Sequence, residues 1–286
     1  GDLFVAIQGP NTDGHLYVTQ ALERGAVAAM VAETWAERPT GAPLLIVPDT
    51  MAGLESLARA ARARSAARVV GVTGSVGKTG TKDALALALA SQDTTAATQG
   101  NLNNQWGLPL SLLGLEERHQ VMVAEMAMSQ ANEISSLATL ANPSIGVITN
   151  VAPAHMENFA DLAAVAAAKG ELAQKLPASG TLIVNADDPR TDAMPKKLAP
   201  HVSHVVRFGY DASAEVRATK LVSIPDGWEF NLHIGSASRN IELRLPGAAG
   251  VPNFLAATAT AHALDVTIDE IAAEASKLEP LPNRGA

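Results

Sequence analysis

The sequence contains no cysteine among its 286 residues. Disulfides and thiolate metal sites are therefore excluded, and any bound metal must use oxygen or imidazole ligands, a set that suits Mg²⁺. Aromatic residues make up only 3% of the chain. A core must therefore be built from alanine, valine, leucine and isoleucine, and the hydrophobic content of 47% is ample for this purpose.

Positive charge is also scarce, because 21 lysines and arginines stand against 29 acidic residues and the formal net charge is −8. General nucleic-acid-binding proteins usually carry a basic face, so this class is disfavoured. No uncharged apolar run approaches the roughly 18–20 residues that a membrane span needs, and no signal peptide is visible. The chain opens without Met in a predicted strand, so we expect its ends to be cut.

One stretch of the chain has the pattern of a phosphate-binding loop. A β-branched run enters a glycine-rich turn that ends in Gly-Lys-Thr, and an Ala/Leu segment follows; residues 69–79 read VVGVTGSVGKT. Gly74, Ser75 and Gly77 can present backbone N–H groups to an anion, and the next helix adds its positive dipole end. Lys78 can reach the β and γ phosphates, and the Thr79 hydroxyl can ligate Mg²⁺. We therefore predict that the chain binds ATP or GTP.

The loop departs from the strict pattern at one position. The usual spacing places a glycine at residue 72, where this chain has Val72, and the glycine stands one residue earlier as Gly71. The alternative is a glycine turn followed by a surface lysine. The strand and helix patterns on either side favour the phosphate loop over this alternative.

Alternating strands and helices predict an α/β protein with two parts. Residues 1–66 form a small α/β domain, and residues 67–286 form a doubly wound, mostly parallel sheet that contains the phosphate loop. Residues 215–245 alternate apolar and polar side chains, which predicts antiparallel strands at the edge of the sheet. The main predicted elements are strands at 3–7, 27–31, 44–47, 121–125, 144–149, 181–185 and 204–208, with helices at 17–26, 52–66, 162–175 and 253–263.

Several polar side chains follow predicted strands, where ligands bind in such sheets. Glu125 ends an apolar strand and is either a Mg²⁺ ligand or an exposed glutamate. His155 follows the strand at 144–149, as a ligand or as a structural histidine. Lys169 lies in a predicted helix and by itself is typical of a surface lysine. Asn185 and Asp187 follow another strand, where they could bind a nucleotide base or form an ordinary turn.

The chain resembles the Mur ligases, the ATP-dependent amide-forming enzymes of peptidoglycan precursor synthesis. Its phosphate loop has the spacing of this family, which accounts for the glycine at 71. Residues 98–110, TQGNLNNQWGLPL, resemble the members that join D-Ala-D-Ala to UDP-MurNAc-tripeptide. The opening residues GDLFVA and the run TDGH at 12–15 resemble the family's N-terminal UDP-binding domain. The resemblance covers nearly the whole chain.

The resemblance implies a role for each candidate residue. Lys78 and Thr79 would hold the ATP phosphates and Mg²⁺, and Glu125 and His155 would be protein ligands of a pair of Mg²⁺ ions. Lys169 matches a lysine that CO₂ carbamylates, and the carbamate would help to hold the second ion. The remaining assignments are Asn104 near the γ-phosphate, Asn185, Asp187 and Asn253 at the adenosine, and Arg284 at the ATP phosphates.

The implied activity is amide formation between D-Ala-D-Ala and UDP-MurNAc-tripeptide through an acyl phosphate, in a cytoplasmic monomer that neither inserts into a membrane nor binds nucleic acid. Residues 1–66 would bind the UDP substrate and residues 67–286 would bind ATP. The family's third, C-terminal domain and the start of the N-terminal domain have no counterpart here, so we expect the fragment itself to be inactive. The alternatives are another amide ligase of the superfamily, such as a MurE-like or folylpolyglutamate-synthase-like enzyme, and an ATP-binding module without ligase activity.

Overall fold

The computed structural model describes residues 1–9, 11–89, 94–154, 156–245, 247–275 and 277–278. The chain forms two compact units, Gly1–Arg64 and Ser65–Ala286. This division falls within two residues of the predicted boundary. The ligands assigned to the two parts remain predictions.

The first unit is a three-stranded parallel sheet with one short helix between β1 and β2 and a longer helix after β3. Its strands lie in the order β1-β2-β3, and its core contains small aliphatic side chains such as Ala6, Val18 and Val31. The elements are β1 (Leu3–Val5), a 3₁₀ turn (Gly14–Tyr17), α1 (Val18–Glu23), β2 (Ala28–Ala32), β3 (Leu44–Val47) and α2 (Thr50–Arg64). The helix predicted at 17–26 is therefore shorter than expected and follows a tighter turn.

A buried histidine explains this tight turn. Asp13 accepts hydrogen bonds from the backbone N–H of His15 at 2.9 Å and from its Nδ1 at 2.6 Å, and these bonds lower the pKa of the Asp13 carboxyl. The other ring nitrogen of His15 accepts the backbone N–H of Ala32 at 2.9 Å. The His15 side chain therefore links the 3₁₀ turn to the end of β2, and it uses both ring nitrogens to do so.

The second unit is built on one nine-stranded sheet in the order β12-β11-β10-β9-β8-β7-β4-β6-β5. Strands β4 to β10 run parallel, whereas β11 is antiparallel to both of its neighbours. Their bounds are β4 (Arg68–Thr73), β5 (Thr95–Ala97), β6 (Val121–Glu125), β7 (Ile145–Ile148), β8 (Thr181–Asn185), β9 (His204–Gly209), β10 (Val216–Ile224), β11 (Gly227–Ile234) and β12 (Ala237–Leu243). The predicted doubly wound sheet with an antiparallel edge is confirmed.

Helices connect these strands and pack through small side chains. A Cβ on Gly170 would overlap the Leu198 side chain, so this glycine allows two helices to approach closely. The helices are α3 (Lys78–Ala88), α4 (Gly107–Leu113), α5 (Glu133–Ala141), α6 (Leu162–Gln174), α7 (Pro189–Asp192), α8 (Met194–Leu198), α9 (Gly250–Ala263) and α10 (Ile268–Ala275). Within the described ranges, no helix has the length and apolar character needed to cross a bilayer.

The position of β4 determines where ligands can bind. This strand lies between β6 and β7, so the chain crosses from one side of β4 to the other after β6. At such a switch point the loops diverge and leave a crevice at the carboxyl ends of the strands. The phosphate loop, Glu125 and the segment after β7 all lie at this edge.

Candidate functional site

The phosphate loop needs glycine at two positions for both backbone and steric reasons. Gly74 has φ +152° and Gly77 has φ +87°, conformations that side-chain-bearing residues rarely adopt. A Cβ on Gly74 would overlap Thr149 Oγ1, and a Cβ on Gly77 would overlap Asn253 Oδ1. Close approach by other segments thus accounts for both glycines.

The segment after β7 holds the phosphate loop in place. Asn150 accepts the Val76 N–H at 3.0 Å and donates its amide to the Val76 carbonyl at 3.1 Å. Thr149 Oγ1 donates to the same carbonyl at 2.6 Å. The Ser75 hydroxyl donates to Ala152 O at 2.8 Å and accepts the Ala152 N–H at 2.9 Å. The loop is therefore preformed before any anion binds.

Lys78 lies at the start of α3 and folds back over the loop. Its Nζ donates to Gly74 O at 2.8 Å and is 3.4 Å from Ser75 O. Burial lowers the pKa of Lys78, and the negative charge of Glu125 partly opposes this effect. The ammonium group is thus positioned at the rim of the phosphate loop.

Lys169 is buried in α6, with only 2% of its surface exposed, so the surface-lysine alternative is wrong. Burial, with a smaller contribution from the positive charge of Lys78, lowers its pKa to about 7. A substantial fraction of Lys169 is therefore a neutral amine at neutral pH.

Glu125 has a buried carboxylate whose two oxygens differ in their hydrogen bonding. It is 2% exposed, so the exposed-glutamate alternative is also wrong. Its Oε1 accepts the Asn103 amide at 2.8 Å and the Thr79 hydroxyl at 3.3 Å, while its buried Oε2 has no partner among the described residues. A buried carboxylate oxygen without a partner is costly, and a cation would offset this cost. The Thr79 and Glu125 oxygens fit Mg²⁺, which prefers hard oxygen ligands.

Two predicted site residues, His155 and Arg284, lie outside the described residues. Across the described ranges, no group of three or more histidine, aspartate or glutamate side chains is arranged to hold a metal. The roles of His155 and Arg284 therefore stay predictions.

The predicted nucleotide residues Asn185 and Asp187 make contacts at the ends of β8 and β9. The Asn185 amide donates to Thr149 O at 3.0 Å, which ties β8 to the segment that holds the phosphate loop. The Asp187 carboxylate accepts the N–H groups of Tyr210 at 2.8 Å and Asp211 at 2.9 Å. Asp187 is therefore already engaged in shaping the turn after β9.

Asn253 and Asn104 make contacts in different parts of the second unit. Asn253 packs directly against Gly77 and Gly80 and so lies beside the phosphate loop, while its contact with adenosine stays a prediction. Asn104 instead accepts the N–H groups of Trp106 at 3.1 Å and Gly107 at 2.9 Å, and so caps the start of α4.

Sequence reasoning missed three polar residues that build the site. Asn103, rather than its neighbour Asn104, binds the Glu125 carboxylate. Thr149 and Asn150 hold the phosphate loop. The positions of Thr149 and Asn150 could have been predicted from the sequence, because this Thr-Asn pair directly follows an apolar strand at the edge of the sheet where ligands bind.

Replacement of Gly74 by alanine is expected to abolish ATP binding and to lower the free energy of unfolding. The backbone strain alone costs about 1–3 kcal/mol, and the new methyl group would displace Thr149 from the loop. Urea denaturation and ATP titration measure the two effects. Gly235→Ala is the matched control: Gly235 has φ +57° and open space around it, so this variant should lose stability but bind ATP normally. Normal ATP affinity in Gly74→Ala would contradict the described loop.

Comparison with known proteins identifies related sequences over nearly the whole chain. The sequence profile described as Mur ligase middle domain matches residues 72–261. The UDP-N-acetylmuramoyl-tripeptide--D-alanyl-D-alanine ligase of Escherichia coli K12 is 37% identical over 287 residues, covering 99% of this chain and 62% of that protein. The ligase of the same name from Bacillus subtilis is 40% identical over 187 residues, or 65% of this chain.

Solved structures give a concordant result. MurF from Acinetobacter baumannii superimposes with a TM-score of 0.89 at 31% identity, covering 99% of this chain and 61% of that one. MurF from Thermotoga maritima, solved in complex with ADP, gives a TM-score of 0.86 at 27% identity and covers 99% of this chain and 64% of that one. The chain thus spans about three-fifths of the length of the Escherichia coli protein and of the two MurF structures, and the match to the Bacillus subtilis ligase covers 41% of that protein.

Proposed function

The chain belongs to the Mur ligase family, and we propose that it supplies the ATP-binding and UDP-substrate-binding parts of a ligase that joins D-Ala-D-Ala to UDP-MurNAc-tripeptide. The observation that carries the proposal is the buried Glu125 carboxylate, one oxygen of which has no partner among the described residues, beside Thr79 and a preformed phosphate loop. The names of the relatives support the choice of substrates.

In this proposal the protein contributes positioning and charge. The backbone N–H groups of the loop and the Lys78 ammonium hold the β and γ phosphates, with Lys78 exchanging its carbonyl contacts for phosphate oxygens. Thr79 and Glu125 would hold Mg²⁺, which would neutralise phosphate charge. The terminal carboxylate of the tripeptide then attacks the γ-phosphorus in line, ADP leaves, and an acyl phosphate forms. The amine of D-Ala-D-Ala then forms an N–C bond to the acyl carbon, the C–O bond to phosphate breaks, and the amine releases one proton.

We extend the proposal to Lys169 because it is buried and easily neutral. A neutral lysine amine adds to CO₂, forming an N–C bond and releasing one proton, and the cation is thereby replaced by an anionic carbamate. This anion would lie near the Lys78 charge and would provide oxygen ligands for a second Mg²⁺.

The remaining assignments belong to the same proposal. Residues 1–66 bind the UDP substrate and residues 67–286 bind ATP, in a cytoplasmic monomer. Asn253 packs against the phosphate loop, which supports its place near the nucleotide. The further proposed contacts are His155 at the metal pair, Asn104 and Arg284 at the phosphates, and Asn185 and Asp187 at the adenosine.

Substrate-dependent phosphate release tests the proposed function. In a ligase that carries this chain with the family's third domain, release of phosphate from ATP should require both UDP-MurNAc-tripeptide and D-Ala-D-Ala. The 286-residue chain alone should bind ATP and the UDP substrate without joining the substrates. ATP hydrolysis that ignores both substrates would instead identify a nucleotide-dependent module, and stimulation by a different amine would identify another amide ligase.

A further inference from the structure

A second buried lysine lies close to the site, and the proposed reaction does not use it. Lys82 is on α3, one turn after Thr79, and only 4% of its surface is exposed. Its Nζ donates to the Thr98 carbonyl at 2.8 Å and lies 3.3 Å from the carboxylate of its neighbour Asp83. Lysine is almost never fully buried without a partner, because its charge is costly to remove from water. A backbone carbonyl at the end of a short strand is thus its closest partner.

Thr98 connects this lysine to the site. It directly follows β5, and its N–H donates to Val123 O at 3.0 Å, which extends the pairing of β5 with β6. Its hydroxyl oxygen accepts the backbone N–H of Glu125 at 3.1 Å. Thr98 therefore accepts two hydrogen bonds: its carbonyl accepts the Lys82 ammonium and its hydroxyl accepts the Glu125 backbone N–H.

Thr98 also begins the loop that orients the Glu125 side chain. Five residues later, the Asn103 amide donates to Glu125 Oε1 at 2.8 Å. The backbone of Glu125 and one of its carboxylate oxygens thus both depend on where Thr98 is held. Thr79, the other oxygen ligand offered to a cation, lies on the same helix as Lys82.

We propose that Lys82 is a positioning residue for Glu125: it fixes the end of β5 to α3, so that the Glu125 carboxylate stays beside the Thr79 hydroxyl where a divalent cation would bind. The proposal rests on the proposed function, since it concerns the cation that accompanies ATP. The pair with Asp83 at 3.3 Å lies within α3 and therefore fixes no other segment of the chain. The Thr98 contact joins segments that are 16 residues apart in the sequence.

Lys82→Met in the 286-residue chain tests the proposal, because methionine keeps much of the side-chain length and removes the donor. ATP affinity is measured in EDTA and then across a Mg²⁺ titration. The Mg²⁺ concentration for half-saturation should rise about 10-fold, the size of effect typical for groups that orient metal ligands, while ATP affinity in EDTA stays unchanged. Leu85→Ala is the control, since Leu85 lies in the core on the same helix and its loss should lower stability without changing the Mg²⁺ dependence.

Thr98→Val provides a second route that does not depend on the folding of Lys82→Met. Valine is close in shape to threonine and removes only the oxygen that accepts the Glu125 N–H. It should raise the Mg²⁺ requirement as well, and the double variant should show less than the product of the two single effects, because both act through one connection. Wild-type Mg²⁺ dependence in both single variants, or multiplicative effects in the double variant, would overturn the role of Lys82. Failure of the unaltered chain to bind ATP would overturn the proposed function itself.

Discussion

In a ligase that carries this chain with the family's third domain, replacement of Lys78 by alanine should abolish ATP-dependent amide formation and weaken ATP binding by about 10–100-fold. Hydrogen bonds to charged groups contribute about 1.5–3 kcal/mol each, which corresponds to this range of affinity. The Lys78 ammonium is already at the rim of the phosphate loop, where it contacts Gly74 O at 2.8 Å. The larger loss in turnover is expected because charge on the transferred phosphoryl group must be neutralised in the transition state. Calorimetric ATP titration and phosphate release measure the two effects.

The control for this prediction is Lys197→Ala, which removes an exposed lysine from α8. It should leave both ATP affinity and turnover at wild-type values. Near-normal turnover in Lys78→Ala would contradict the assignment of the loop to ATP, whereas a large loss in Lys197→Ala would point to a general effect of net charge.

In the ligase that carries the third domain, Lys169→Ala should eliminate activity, and short carboxylic acids should restore part of it by replacing the carbamate oxygens. The chemical basis is the pKa of Lys169, which burial lowers from 10.5 to about 7. Only the neutral amine reacts with CO₂, so carbamate should form as the pH rises through about 7 and should disappear below it. NMR of protein equilibrated with ¹³C-bicarbonate would show a carbamate signal in the wild type that is missing in the variant.

Lys175→Ala is the matched control, because Lys175 lies at the exposed end of the same helix and should keep the carbamate signal.

In CO₂-free buffer the same pKa shift predicts a stability change. The unfolded chain binds more protons at this position between pH 7 and 10.5, so the free energy of unfolding should rise with pH across that window. Lys169→Ala should remove this contribution to the slope. An unchanged slope, or a wild-type protein without a carbamate signal, would contradict the proposed role of Lys169.

The central architecture was predictable because its signals are local and strong. The apolar strands at 121–125 and 181–185 were predicted with the bounds that the structure has, and the phosphate loop followed from glycine spacing. The short strand β5 has three residues, too few to show an alternating pattern. The helix α5 was also missed. Residues before it, including Asn132 with φ +71°, resemble a loop in sequence.

Burial of charged residues was the main limit of sequence reasoning. Lys169 and Lys82 both lie in helices whose sequences suggest a solvated lysine, yet both are almost fully buried. Their burial depends on partners that are distant along the chain, such as Thr98 for Lys82. The resemblance to a family identified Lys169 as a candidate, but only the packing distinguishes Asn103 from Asn104 and gives Lys82 a role.

The dependence of the phosphate loop on Asn150 and Thr149 links nucleotide binding to the order in which the chain folds. The bond between Asn150 and Val76 spans 74 residues, so a nascent chain that has only reached the loop lacks the Asn150 and Thr149 contacts that hold it. Contacts of such long range form late, because the entropy of closing the intervening segment must be overcome first. ATP should therefore not bind the growing chain until β7 has paired with β4. After that, its binding should stabilise the chain only when this part of the sheet is folded.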